Sequence, residues 1–443
     1  MKKIRWLKSV VFCLTFVVIA TVYFFDLKNQ SLHEDEFVWV YRGGRHFQAL
    51  FLDHNLTPAF WQHYYAYDQP KLAEFLMGAF TWASFNQAPD ELFEETGFNQ
   101  QGIVEMGPRD PQAWWVIYQA QEPQARVIPG EWQAAYQIIV QNRRLSVIFG
   151  LGLLLWVFLI GRTMGNFWIG LLSLILVAQH PLVFRESRQA MADSLLIFFL
   201  LGGLYWLMIS QKRILTSSRL PALTLLGLGV WAGLSGSVKL NGFMVLTLMV
   251  AWLGLRFLGE MIKKNKAQRG KYLVRALVSV VIIVLTAGGV FTLINPFTWS
   301  NPIQRFQEMI VWRSQEAQKL QPRYPDSSYK NFRERLKAIV AETTLPQDGD
   351  QRVLQRLPAV AEVTILILSL VLVFFEAVIR QVKPTVTLFF FWLIGTLVIM
   401  SQYLTVGFDR YFLPIIPLLA LLEAFGVVRL RQYLLSAGQI LKE

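Results

Sequence analysis

The sequence predicts an all-α polytopic membrane protein with about ten transmembrane helices. Three observations carry that prediction. Hydrophobic residues make up 54% of the 443 positions and charged residues only 16%, against about a quarter charged in soluble domains; mean hydropathy is +0.39. Apolar runs recur along the chain, each roughly 17–22 residues long and able to cross a ~30 Å hydrocarbon core. Basic residues gather at alternate ends of those runs. The single cysteine, Cys13, excludes a disulfide framework and a cysteine-based zinc cluster. A formal charge of +12 would suggest nucleic acid for a soluble protein. With this apolar content the partner it implies is the lipid bilayer, and no nucleic acid is expected.

The apolar runs are 7–25, 145–161, 167–184, 194–210, 220–238, 241–259, 274–295, 359–379, 385–403 and 411–428. They must be helical, because hydrocarbon offers no partner to backbone polar groups. Lys2, Lys3, Arg5 and Lys8 precede the first run, and no small-x-small cleavage site occurs before Asp26, which predicts an uncleaved anchor. With the N-terminus in the cytoplasm, the inner segments carry 20 Lys and Arg against 3 Asp and Glu, whereas the first outer loop, 26–144, carries 8 against 15. The net charge is thus largely the positive-inside asymmetry. It predicts an integral protein of the plasma (inner) membrane with both termini cytoplasmic and two long outer loops, 26–144 and 301–358. The inner loops hold no Walker or dinucleotide fingerprint, so chemistry is expected on the outer face.

The outer face supplies the candidate residues. Asp35 and Glu36 follow the first span in His33-Glu34-Asp35-Glu36. Carboxylates so close to the bilayer must be held by cations, do work, or begin a helix, whose dipole favours acids in its first turn. Phe37–Leu52 and Leu72–Trp82 read as interfacial helices of the first outer loop, and Asn301–Leu320 as another surface-lying helix. Tyr67, Asp68 and Lys71 lie between the first two and can offer a hydroxyl, a carboxylate and an ammonium to a polar ligand; an interfacial tyrosine belt explains the aromatics equally well. Residues 86–135 receive no role. Arg143 and Arg144 begin the second span, Arg188 and Asp193 lie in the hairpin before the fourth, Lys239 lies between the fifth and sixth, and Arg410 begins the tenth. These cations stand on the outer side, where the positive-inside rule does not favour them. Their recurrence points to a shared anionic ligand such as a phosphate at the bilayer surface, or to pairing with the acidic first loop. His33 with Asp35 and Glu36 could also hold a divalent ion; the sequence requires no cofactor.

In order along about 7–425 the chain resembles the polytopic glycosyltransferases of the protein O-mannosyltransferase and lipid A aminoarabinose transferase type, which share the GT-C fold. The motifs are Asp35-Glu36, Arg143-Arg144-Leu145-Ser146, Ser187 to Asp193, the Gly-rich 233–242 with Lys239, Asn295-Pro296-Phe297, and Arg410 to Pro417. Where that family often has His-Pro-Pro-Leu, this chain has Asp68-Gln69-Pro70-Lys71. The resemblance implies a GT-C-like membrane domain that transfers a sugar from a polyprenyl-phosphate donor to a hydroxyl-bearing acceptor, with inversion. It implies Asp35 as general base, with Arg143, Arg144, Arg188 and Lys239 stabilising the departing phosphate. Glu36 and Asp68 would orient the sugar or a metal, Asp193 would position Arg188, and Tyr67, Lys71 and Arg410 would contact sugar or acceptor. The competing class is a transporter or lipid flippase, for which Glu423 is the ionisable residue read inside a span.

Overall fold

The structure is a computed structural model that describes residues 2–30, 33–62, 68–96, 98, 133–217, 220–344, 359–379 and 383–440. Tyr67 and residues 101–132, with Trp114, Trp115 and Trp132, lie outside the described residues. Apart from one bridge between Ser328 and Val406, regular structure among the described residues is helical, and each of the ten apolar runs falls on a helix. Six helices are long and apolar enough to cross a membrane, and four shorter apolar helices accompany them; the figure of ten crossings is not established by length.

Helix α1 (Lys2–Phe24) lies at the edge of the bundle. It turns Leu14, Val17 and Val18 outward and stacks Phe12 on Phe158, ring centroids 4.3 Å apart. The segment between the first two apolar runs builds α2 (Glu34–Phe47), α3 (Leu72–Phe85) and α4 (Pro89–Thr96). Helix α2 was expected to lie at the membrane surface. Its amphipathic face instead packs on protein: Val40 is fully buried in a cluster with Leu92, Phe93, Ile138 and Ile139. Helices α2 and α3 cross at Gly43 and Gly78, where a Cβ on Gly43 would come 2.7 Å from the Glu74 carbonyl oxygen. Only glycine allows that approach.

Helix α5 (Gln133–Met164) has 32 residues, about 48 Å at ~1.5 Å per residue. The charged residues Arg143 and Arg144 lie within the helix and do not end it. Helix α6 (Phe167–Gln179) returns against it, started by Asn166, whose side-chain oxygen accepts from Trp168 N at 2.9 Å and Ile169 N at 3.2 Å. The short α7 (Pro181–Glu186) begins at His180, whose Nδ1 accepts from Leu182 N at 3.2 Å. Helix α8 (Asp193–Thr216) is the most buried of the long spans.

Helix α9 (Ala222–Val238) ends at Lys239, which is extended, and a 3-10 turn at Leu240–Phe243 leads into α10 (Met244–Ile262). Helix α11 (Lys266–Ile294) lies along α9, with Gly229 and Gly233 against Ile283 and Ala287 carbonyls, a small-xxx-small contact of the kind that joins helices in lipid. Pro296 stops α11, and the freed Asn295 side chain donates to Phe291 O at 2.6 Å. The segment after Pro296 forms α12 (Pro302–Arg323) and α13 (Phe332–Thr344). Helices α14 (Ala359–Phe374), α15 (Pro384–Tyr403) and α16 (Ile416–Ile440) complete the bundle.

Candidate active site

The site grows from the start of α2. His33 caps that helix: its Nδ1 accepts from Asp35 N at 3.1 Å, and its own N–H donates to Glu36 Oε2 at 2.9 Å. Consecutive residues in a first turn point about 100° apart, so the two acids meet different surroundings. Glu36 turns inward and is fully buried against Arg143, with Nε–Oε1 and NH2–Oε2 both 2.8 Å. Ala190 N also donates to Glu36 at 2.7 Å, while Arg143 donates to Leu27 O, Gln30 O and Tyr136 Oη. This bidentate pair ties α2, α5 and the hairpin before α8 together. Its atoms are engaged with the protein and face no opening.

Asp35 turns the other way. Its side chain is 34% exposed and accepts from Arg410 NH1 at 2.6 Å. Arg410 sits on the 3-10 turn Asp409–Phe412 that precedes α16, and His33 Nε2 lies 3.4 Å from the same NH1. Burial alone would push the Asp35 carboxyl upward; the charges of Arg410, His33 and Lys239 outweigh it and hold the group below its ordinary value. Burial opposes the Arg410 charge, but Asp35 and Asp193 overcome it and raise its pKa.

A second ion pair completes the centre. Lys239, freed by the break between α9 and α10, reaches Asp193 Oδ1 at 2.6 Å and lies 5.7 Å from the Trp39 ring centroid. Asp193 was expected to position Arg188; it pairs with Lys239 because Arg188 points away, donating to Phe25 O at the end of α1 and lying over Phe184. Beside these pairs, Arg185 bridges Glu186 at 3.0 Å and Asp409 at 3.1 Å. Burial, with the Asp193 charge, pushes Glu186 up to about 7, and Arg185 and Arg410 offset only part of that. Glu186 Oε2 and Asp193 Oδ2 are buried without a hydrogen-bond partner.

The remaining expected residues go elsewhere. Arg144 is exposed. Asp68 is held between Arg42 at 2.7 Å and Arg313 at 2.9 Å. Lys71 was read as open to a ligand but is fully buried, bonded to Glu74 at 2.8 Å, and His46 meets the same carboxylate at 2.5 Å. Among the described residues no three His, Cys, Asp or Glu side chains gather where they could hold a metal ion; Glu36 is taken by Arg143 and Asp35 by Arg410.

Residues 114–296 match the family model described as dolichyl-phosphate-mannose-protein mannosyltransferase, a stretch that holds Arg143, Arg188, Asp193 and Lys239 but neither Asp35 nor Arg410. No curated protein sequence matches the chain. The structure of ArnT from Cupriavidus metallidurans bound to undecaprenyl phosphate is similar with a TM-score of 0.52 at 13% identity, over 94% of this chain and 60% of that one. The chain has the GT-C fold. The oligosaccharyltransferase of Archaeoglobus fulgidus tethered with an acceptor peptide gives a TM-score of 0.51 at 11% identity, over 95% of this chain and 50% of that one. This GT-C chain therefore spans 60% and 50% of the lengths of these two proteins.

Sequence reasoning missed Glu186, Arg185, Asp409, Glu74, His46, Arg42 and Arg313 in this GT-C chain. Some signals were present. Glu74 stands three residues after Lys71 in an otherwise apolar helix, the spacing of a helical ion pair. Arg42 and His46 stand four apart on α2. Arg313 gave none, because its contact with Asp68 spans 245 residues.

Proposed function

We propose that the chain is a membrane glycosyltransferase. It moves a hexosyl or pentosyl group from a polyprenyl-phosphate carrier to a hydroxyl of a protein, lipid or glycan, inverting the anomeric carbon. The observation that carries this reading is the Asp35–Arg410 pair: an ionised, partly exposed carboxylate against a largely covered guanidinium, with the Lys239–Asp193 pair beside it. The family match over residues 114–296 supports the reaction class. So do similar folds solved with a lipid phosphate and with an acceptor peptide. The charge asymmetry of the loops supports placing this centre on the outer face.

In this reading the donor phosphate competes with Asp35 for Arg410 and with Asp193 for Lys239. A lipid phosphate is a strong acceptor for such cations. As Arg410 swings onto the phosphate, Asp35 loses the charge that depresses its pKa and becomes a stronger base. The acceptor hydroxyl gives its proton to Asp35, its oxygen bonds to the anomeric carbon, and the bond from that carbon to the phosphate oxygen breaks. Arg410 and Lys239 stabilise the negative charge that develops on the departing polyprenyl phosphate. Glu36 and Arg143 hold α2 so that Asp35 is aimed at the opening. No step here runs through a metal.

The test is donor turnover. The purified protein is reconstituted with a panel of polyprenyl-phosphate sugars and with protein, lipid and glycan acceptors, and free polyprenyl phosphate is followed by mass spectrometry. Release by the wild type and none by Asp35→Asn supports the reading. Undiminished release by Asp35→Asn overturns the base assignment.

A further inference from the structure

The far end of α8 carries a feature that glycosyl transfer does not use. From Asp193 to Thr216 the helix runs 24 residues, about 36 Å, so Thr216 lies at the membrane face opposite the Asp35 centre. There a cavity of about 500 Å³ opens between the end of α8 and the first turns of α11. Its polar side is Thr216, Ser217, Lys271 and Arg275; its apolar side includes Leu220 and Val278.

One cation of this cavity, Arg275, is held in place by the backbone. Arg275 donates to Ile214 O at 2.6 Å and to Ser217 O, which fixes its guanidinium at the rim without neutralising it, and its Nε is buried with no partner. Lys264 lies 5.6 Å from the Tyr272 ring at the same edge. Among the described residues no carboxylate pairs with Lys271 or Arg275; the nearest acid in sequence, Glu260, bonds Lys263. The positive-inside rule accounts for the sign of these charges. It does not account for a cavity with hydroxyls, an anchored guanidinium and a lysine above and an aliphatic wall below, continuing into exposed Leu273, Val274 and Leu277 on α11.

We propose that this cavity binds an anionic phospholipid. The headgroup phosphate sits against Lys271, Arg275 and the Thr216 and Ser217 hydroxyls, and an acyl chain runs down the aliphatic face of α11. Basic pockets between helices at a membrane face suit such headgroups, and each surface cation adds measurably to the attraction. The site goes beyond the transfer reaction and does not depend on it.

The purified full chain in neutral detergent is titrated with phosphatidylglycerol and with phosphatidylcholine of the same acyl chains, and retained lipid is counted by native mass spectrometry. Wild type is expected to retain phosphatidylglycerol about tenfold better than phosphatidylcholine. Lys271→Glu, a change at an exposed side chain, is expected to lose about tenfold of that retention with an unchanged Tm. Arg275→Gln serves as a second variant, expected to show the same loss. Equal retention of the two lipids by wild type, or undiminished phosphatidylglycerol retention in Lys271→Glu, overturns the proposal. Displacement of the lipid by millimolar inorganic phosphate also overturns it, in favour of a site for free phosphate.

Discussion

Glu36 and Arg143 are 107 residues apart and meet through two parallel hydrogen bonds of 2.8 Å, both side chains wholly removed from solvent. The adjacent Asp35 faces the opposite way and remains open. The two neighbouring acids therefore carry separable duties, and the variants below are chosen to separate them.

Removing one member of a fully buried ion pair leaves the other charge stranded, at about 3–5 kcal/mol. Glu36→Gln and Arg143→Met are each expected to lower Tm in detergent by about 3–5 °C. The double variant should be less destabilised than the sum of the singles. Additive losses would show that the pair is not coupled.

Asp35→Asn keeps size and polarity at a position one-third open. Its Tm is expected to match wild type, while turnover falls roughly a hundred- to ten-thousand-fold, the usual contribution of a general base. Binding of a non-transferable donor analogue, measured by calorimetry, should persist.

Arg410 is the largest influence that lowers the Asp35 pKa. A base must be unprotonated to act, so the acid limb of kcat/KM follows that pKa. In wild type the limb lies below the ordinary carboxylate range. In Arg410→Gln burial is left less opposed, so the limb should move to higher pH while maximal turnover also drops. A limb that stays in place would argue against Asp35 as the titrating base.

Glu186 titrates near 7 in the fold and near the ordinary glutamate value when unfolded. Its raised pKa contributes stability that is complete below about 4.5 and is lost as pH climbs through 7. Glu186→Gln imitates the protonated form. The variant is expected to gain stability relative to wild type between pH 5 and pH 8, read as a rising Tm difference. A pH-independent difference would place the titration elsewhere.

The apolar helices were legible because hydrocarbon imposes length and apolarity on every crossing helix. Which cation meets which acid was not. Periodicity cannot tell which of Asp35 and Glu36, or of Arg143 and Arg144, turns inward, because adjacent helical residues share the same local sequence. That choice is made by packing partners such as Ala190 and Tyr136. Lys71 illustrates the converse: a lysine after proline in a polar stretch reads as exposed, yet the Glu74 carboxylate gives it a partner inside the protein and it is buried. Helix α5 begins well before the apolar run at 145, because Arg143 is buried against Glu36 and does not end the helix.

Asp35 and Arg410 are separated by 375 residues. During synthesis at about 5–20 residues per second, roughly 20 to 75 s pass between the emergence of one and of the other. Through that interval the bundle is threading into the bilayer with its pivotal acid lacking the cation that depresses its pKa. A chain stalled before its final helix has both Glu36 and Arg143 but lacks Arg410, the partner of Asp35. Completion of the centre is thereby tied to completion of the last helix of the chain.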